Sequence, residues 1–373
     1  MPSRARAAIV SLALAACAAT PASAGASVTW VVHGGGFGHG VGLSAYGAYG
    51  YGLHGYGYRQ ILHHYFRQIQ ITTLKQAPLV RVLLTISPGD VGFTQASAAC
   101  GRQLDPGLPY RAHRHGSSVR LLSSSGKLLA RCGDRLHADS RGMLRIAGVG
   151  VYRGALEVVP TESQSGSLNV VNNLNVNNYV RGSVPAEVPP SWPAATLKTF
   201  AVAARSIALS TDVGGNGFAL YSDTRTQNYG GVEVESARTD RAASATANQV
   251  VTYRGQVAQT TYFSSSGGRT ESHFLGAPAA PYDQSVPDPY DYYSPLHRWT
   301  FRFSQAEIDA GLGPYLDGRL RQIRVTQRGA SGRIDYAKLV GTGGTTTIRG
   351  DTLAVALGLY DRWAFFEKVK GRG

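Results

Sequence analysis

"VPAEVPPSWPAATLKTFAVAARSIALS", residues 184–210, is the stretch on which the reading of the chain turns. It opens with one glutamate, Glu187, set between Pro185 and the pair Pro189-Pro190. Each proline fixes its own φ and disfavours the helical region for the residue before it. That frame suits an acid that must meet a substrate at a set distance and angle. It also suits a plain turn leading into a helix, and "NNYVRGSVPAEVPPSW" reads as loop or turn. The run after it is the best helix in the chain. Ser191 is placed to cap it, Pro193 suits its first turn, and Gly214-Gly215 lies just past its end. Leu197, Ala201, Ala204 and Ala208 form one apolar stripe.

Lys198 and Arg205 are seven residues apart on this helix, hence on one face and about 10 Å apart along the axis. The helix is otherwise almost free of charge. Taken singly, each cation reads as a solvated helix charge. Taken with Glu187, they suggest a carboxyl group, a lysine and an arginine lining one groove. A second segment, "YFSSSGGRTES" (262–272), carries Ser265, Ser266, Gly267, Gly268, Arg269 and Thr270. Such hydroxyls and accessible amides bind sugars when aromatic platforms accompany them, and Tyr282, Tyr290, Tyr292 and Tyr293 follow. The plain alternative is a solvated hairpin turn beside a tyrosine-rich loop.

The chain has 373 residues, enough for two or three domains. Its first residues, "RARAAIVSLALAACAATPASAGA", have a basic start, a short apolar stretch and Ala22-Ser23-Ala24 as an A-x-A cleavage site. Residues 1–24 are read as a signal peptide; lipoprotein processing at Cys17 is the second choice. Export leaves Cys100 and Cys132, an even pair in an oxidising compartment, and a disulfide between them is expected. The formal charge is +14, two units of it from Arg4 and Arg6 in the leader. It favours polyanionic partners such as cell-wall polymers or anionic lipid, with the protein peripheral to a membrane at most. No RNP, zinc-finger or helix-turn-helix signal points to nucleic acid. The Gly-rich block at 34–58 lacks the Gly-Lys-Ser/Thr of a phosphate loop. No metal and no cofactor are expected.

Residues 78–171 look all-β, with short β-branched runs split by Gly, Ser, Pro and Asp. In the Gly-rich block a helix is expected after Gly42, with Ser44 as its N-cap. The fold class is mixed α+β: a long helix and β-hairpins form the groove, and a β-rich module is inserted before them. The division is a signal peptide (1–24), a Gly-rich segment packing on the catalytic domain (25–77), the β-rich module (78–171), the core (172–300) and a C-terminal α/β segment (301–373).

"LNVVNNLNVNNYVRGSVPAEVPPSWPAATLKTFAVAARSIAL", "SDTRTQNYGG", "YFSSSGGRTES" and "GGFGHGVGLSAYGAYG" together resemble the SpoIID/LytB family, which includes sporulation lytic transglycosylases and amidase enhancers. The resemblance runs, with gaps, over nearly all of residues 30–300. It implies an enzyme that cuts peptidoglycan glycan strands between N-acetylmuramic acid and N-acetylglucosamine. Glu187 falls on the family's acid/base glutamate, and Lys198 and Arg205 fall on its lysine and arginine. One carboxylate suffices for such a reaction, because the muramic acid 6-hydroxyl replaces water as the nucleophile. The nearest other carboxylates in sequence are Glu157, Glu162, Asp212 and Asp223. The G-H-G-V-G block often sits near the C-terminus in sporulation members but is N-terminal here, so it is expected to dock beside the core by a different chain order. The rival reading is a non-catalytic wall-binding protein that stimulates a cell-wall amidase.

Overall fold

The computed structural model describes residues 28–162 and 166–370. The expected leader, with Cys17 and the cleavage site after Ala24, lies outside the described residues. The fold is mixed α+β, as the sequence indicates.

Five helices surround the site: α1 (Ala45–Leu53), α2 (Tyr58–Tyr65), α3 (Val176–Glu187), α4 (Ala194–Ser210) and α5 (Ala237–Ala245). Helix α1 starts where the sequence places it. The Ser44 side chain accepts the Gly47 N–H at 3.1 Å. Helix α3 corrects the reading of 177–192 as loop. Asn175 caps it by accepting from the Asn178 N–H, and the helix runs through Pro185 to Glu187. Pro185 sits in the last turn. Val188, held extended at φ −138° and ψ 147° ahead of Pro189, ends the helix. The prolines therefore make Glu187 the last helical residue rather than part of a loop.

Ser191 does not cap α4. Pro193 holds the N-cap position without a side-chain bond, and the Trp192 N–H donates to the Pro189 carbonyl in a tight turn between the helices. Nor is α4 a one-sided helix. Twelve of its 17 residues are buried, and α1, α2, α3, α5 and the strand Gln249–Tyr253 all pack on it. The alanines of "AVAARSIA" give it the slim outline that lets so many neighbours approach.

The β-rich region builds two antiparallel sheets, one of six strands and one of seven with a parallel edge at Leu220–Tyr221. Cys100 follows a strand of the seven-stranded sheet and Cys132 follows the edge strand of the other. A disulfide joins the two cysteines, and so ties the sheets together. The module's first and last long strands, Leu79–Ser87 and Leu168–Asn175, pair with each other. The last runs straight into α3, so the sheet sets the direction from which Glu187 is presented.

A second hydrophobic core lies apart from the first. It joins Trp30 and Val32 to Trp299, Ile308, Leu339, Leu353 and Ala364. The strand Val28–Gly34 is the centre of a sheet between Trp299–Ser304 and Ala364–Lys370. Thus the N-terminal segment is shared. Its strand completes the C-terminal unit, while Leu43 to Ile69 belong to the helical core. Composition alone did not reveal the strand Ala364–Lys370.

Candidate active site

A cavity of about 750 Å³ opens at the C-terminal end of α3. Glu187 lines it, and no other Asp or Glu does among the described residues. Pro189 and Trp192 come from the turn after α3. Phe37, His39 and Tyr46 come from the Gly-rich N-terminal block, Arg225 to Asn228 from the loop before α5, and Tyr262 to Ser264 from the serine-rich segment. The N-terminal block reaches this place through glycines. At Gly42, with φ +82°, a Cβ would fall 2.2 Å from the Thr261 carbonyl oxygen.

Glu187 is held from one side. The Asn228 N–H donates to its Oε1 at 2.6 Å, and the Tyr262 hydroxyl also donates to the carboxylate. Behind it runs a buried chain: the Tyr179 hydroxyl donates to Gln227 Oε1 at 3.0 Å, and Gln227 Nε2 donates to the Tyr262 oxygen at 2.9 Å. Asn228 is fixed by its carbonyl, which accepts from Ser183 Oγ of α3 at 3.0 Å. Gly182 makes that approach possible, because a Cβ there would strike Tyr229 and Gly231 at 2.7 and 2.9 Å. Burial raises the pKa of Glu187 and outweighs the bonds from Asn228 and Tyr262 that lower it. A carboxyl group in this state is a proton donor nearer to neutral pH than a surface glutamate is.

His39 shares the cavity wall, between the rings of Phe263 and Phe274. Its Nδ1 accepts the Val41 N–H and its Nε2 donates to the Tyr262 carbonyl. Burial lowers its pKa to about 4. It is therefore a neutral clamp on the Tyr262 backbone at physiological pH.

The expected trio does not assemble. Arg205 is wholly buried and makes no contact with the cavity. It donates from Nε to Asn177 Oδ1 at 2.9 Å, from Nη1 to the Ala201 and Gln249 carbonyls at 3.1 and 2.9 Å, and from Nη2 to the Ala243 carbonyl at 3.4 Å. All four acceptors are neutral, and burial lowers its pKa to about 10. Its placement is that of a cross-brace between α3, α4, α5 and a strand, rather than a ligand for substrate. Lys198 lines a separate hollow of about 330 Å³ with Arg238, Arg241 and the apolar side of α5. The seven-residue spacing does put both cations on one face, but that face meets α5.

The serine-rich segment is also turned inward. Asp291, fully buried, accepts five donors: Ser44 Oγ (3.1 Å), Ser265 Oγ (2.9 Å), Ser266 N–H (2.8 Å), Gly267 N–H (2.8 Å) and His297 Nδ1 (2.8 Å). Ser266 Oγ and the Tyr65 hydroxyl donate to Asp288 at 2.7 and 2.8 Å. Thr270 is buried on Val286, Arg269 bonds Ser285, and Tyr282 accepts the Gln259 N–H. None of Ser265, Ser266, Gly267, Gly268, Arg269, Thr270 and Tyr282 lines the cavity; only Ser264 of that serine run does. The Ser265 and Ser266 hydroxyls that suggested sugar binding are spent on aspartates, and that of Thr270 on the backbone of 284–286. Sequence reasoning missed Gln227, Asn228, Tyr262, His39 and Trp192. The adjacent Gln-Asn in "SDTRTQNYGG" was the available signal.

The site is thus a lone, burial-tuned acid in an aromatic-walled cleft on an α+β frame. Residues 164–253 match the family model described as Stage II sporulation protein, SpoIID. Stage II sporulation protein D of Bacillus subtilis is 27% identical over 223 residues, 55% of this chain and 62% of that protein. The amidase enhancer of Bacillus subtilis is 32% identical over 131 residues, 35% of this chain and 17% of that protein. An uncharacterised protein of Brachyspira hyodysenteriae is 32% identical over 169 residues, 44% and 45% of the two chains. The chain spans less than two thirds of the length of each of these relatives. No described helix is long and apolar enough to cross a membrane.

Proposed function

We propose that this protein is an exported lytic transglycosylase acting on peptidoglycan glycan strands. The observation that carries the reading is Glu187, the sole carboxylate lining the cavity among the described residues, with its pKa raised by burial. Protonated Glu187 delivers its proton to the glycosidic oxygen between N-acetylmuramic acid and N-acetylglucosamine, and the C1–O bond breaks. The resulting carboxylate takes the proton of the muramic acid 6-hydroxyl. That oxygen bonds to C1 and closes a 1,6-anhydro ring. Water is not consumed, and the enzyme ends protonated as it began. A two-carboxylate hydrolase would need a second acid across the cleft.

Tyr262 and Asn228 hold the carboxylate in place and stabilise it between the two proton transfers. Arg225 is the cation of the cavity wall; it is partnered by Asp223 in solvent and suited to exchange that partner for the lactyl carboxylate of muramic acid.

The test is digestion of purified glycan strands, with and without stem peptides, by the wild type and Glu187→Gln. Mass spectrometry of the products is expected to find 1,6-anhydromuramic ends with the wild type alone. The relative named amidase enhancer supports a second reading, a wall-binding protein that stimulates a cell-wall amidase. Equal glycan binding by both proteins, with no cleavage by either, would favour it.

A further inference from the structure

The cavity does not end at its rim. Trp192 and Tyr46 line it, their ring centroids 5.3 Å apart. Tyr49, one turn along α1 from Tyr46, lies 4.8 Å from Trp192. Tyr293 meets Tyr49 edge-on at 5.7 Å, and Tyr292 stacks on Tyr293 at 4.4 Å with an interplanar angle of 29°. Five rings touch in succession from the acid's cavity to the surface. The outer end of this strip is bare: Tyr292 is 51% exposed and Tyr293 39%.

Two stacked, exposed tyrosines on a loop would normally scatter into many rotamers, since nothing packs over them. Here the backbone beneath them is fixed. Tyr292 and Tyr293 directly follow Asp291, in the short 3₁₀ turn Asp291–Tyr293. Asp291 is the carboxylate that accepts five donors from Ser44, the serine-rich segment and His297. Ser44 is also the N-cap of α1, which carries Tyr46 and Tyr49. One buried carboxylate therefore sets both halves of the strip relative to each other.

We infer that this strip is a second glycan subsite, on which the strand leaving the Glu187 cavity lays its pyranose rings. A pyranose presents a face of C–H groups with partial positive charge, and an aromatic ring presents a negative face to it. The edges of Tyr49, Tyr292 and Tyr293 carry hydroxyls that reach the sugar's own hydroxyls. The ligand class is a stretch of β-linked aminosugar polymer, several residues long, held by its sugar faces rather than by its carboxylates. This rests on the transglycosylase reading for what occupies the cavity. It adds that the enzyme holds a long strand rather than a short end.

The test measures binding by the full chain carrying Glu187→Gln, so that no ligand is consumed. Peptide-free glycan oligomers of increasing length, prepared from peptidoglycan, are titrated calorimetrically. The dissociation constant is expected to fall as the oligomer grows past the cavity. Adding Tyr292→Ala and Tyr293→Ala is expected to weaken the longest oligomer by about tenfold and flatten the dependence on length. Adding Tyr292→Phe and Tyr293→Phe is expected to retain most of it. Phe365→Ala, an exposed ring on the C-terminal unit, is the control and is expected to leave the dependence intact. Matching thermal melts for all variants would exclude unfolding. An unchanged length dependence in the double alanine variant, or an equal loss in the Phe365 variant, would overturn the subsite. A protein that binds no oligomer of any length would overturn the transglycosylase reading along with it.

Discussion

Glu187, half-buried in the cavity wall, and Asp291, fully buried beside it, are carboxylates treated in opposite ways. Asp291 is wrapped by five donors. Glu187 receives one backbone N–H at 2.6 Å and donors from Tyr262 and Asn228, and otherwise borders open space in the cleft. Saturating a carboxylate with donors fixes it in place and makes it a girder. Leaving one with fewer donors at the edge of an aromatic-walled cleft keeps its proton within reach of a substrate. Count and burial of donors, not burial alone, separate the two roles.

The sharpest way to break this contrast is at Glu187. Glu187→Gln keeps the shape and removes the acid, so cleavage of glycan strands is expected to fall by about 10²–10⁴-fold. Asp291→Ala should act on folding instead. It strands donors from Ser265, Ser266 and Gly267 in the interior, a loss of at least about 3 kcal/mol in denaturant melts. A well-folded Asp291→Ala protein would refute the girder.

Arg205 extends the contrast to cations. Arg205→Ala is expected to cost about 3 kcal/mol of stability, since it opens a cavity and frees the Gln249 and Ala243 carbonyls, and the KM of any folded fraction should be unchanged. A raised KM with unchanged stability would return Arg205 to substrate binding. Reduction of Cys100–Cys132, which closes a separation of 32 residues, is expected to cost roughly 3–4 kcal/mol.

The subtlest consequence concerns pH. The folded pKa of Glu187 is raised, so the fold favours its protonated form. Its stabilising contribution is complete below the unfolded pKa and is lost as pH rises through the folded value. Glu187→Gln is therefore expected to melt higher than the wild type above that value, and equally below it. Wild-type activity should fall across the same rise in pH. A variant that melts lower at neutral pH would mean that Glu187 is a structural acid like Asp291.

Much of this was legible in the sequence where the physics is local. Ser44 caps α1 through its own neighbour three residues on, and the proline frame marks Glu187. What escaped depends on partners far along the chain. Helical spacing put Lys198 and Arg205 on one face but could not say that α5 covers it. The density of hydroxyls in "SSSGG" is the same whether they meet a sugar or Asp291, and only the fold brings Asp291 to them. The strand Val28–Gly34 finds both its partners beyond residue 298, which no window of sequence reveals. The loop holding Gln227 and Asn228 carries no period, so only the adjacent Gln-Asn pair set it apart from an ordinary turn.

The account stands or falls on one acid working without water. The direct measurement is digestion of peptide-free glycan strands in heavy-oxygen water, with mass spectrometry of the new ends. The account predicts unlabelled 1,6-anhydromuramic ends with the wild type and none with Glu187→Gln. Reducing ends that carry the heavy oxygen would contradict it, because water would then be the nucleophile and a second base would have to exist.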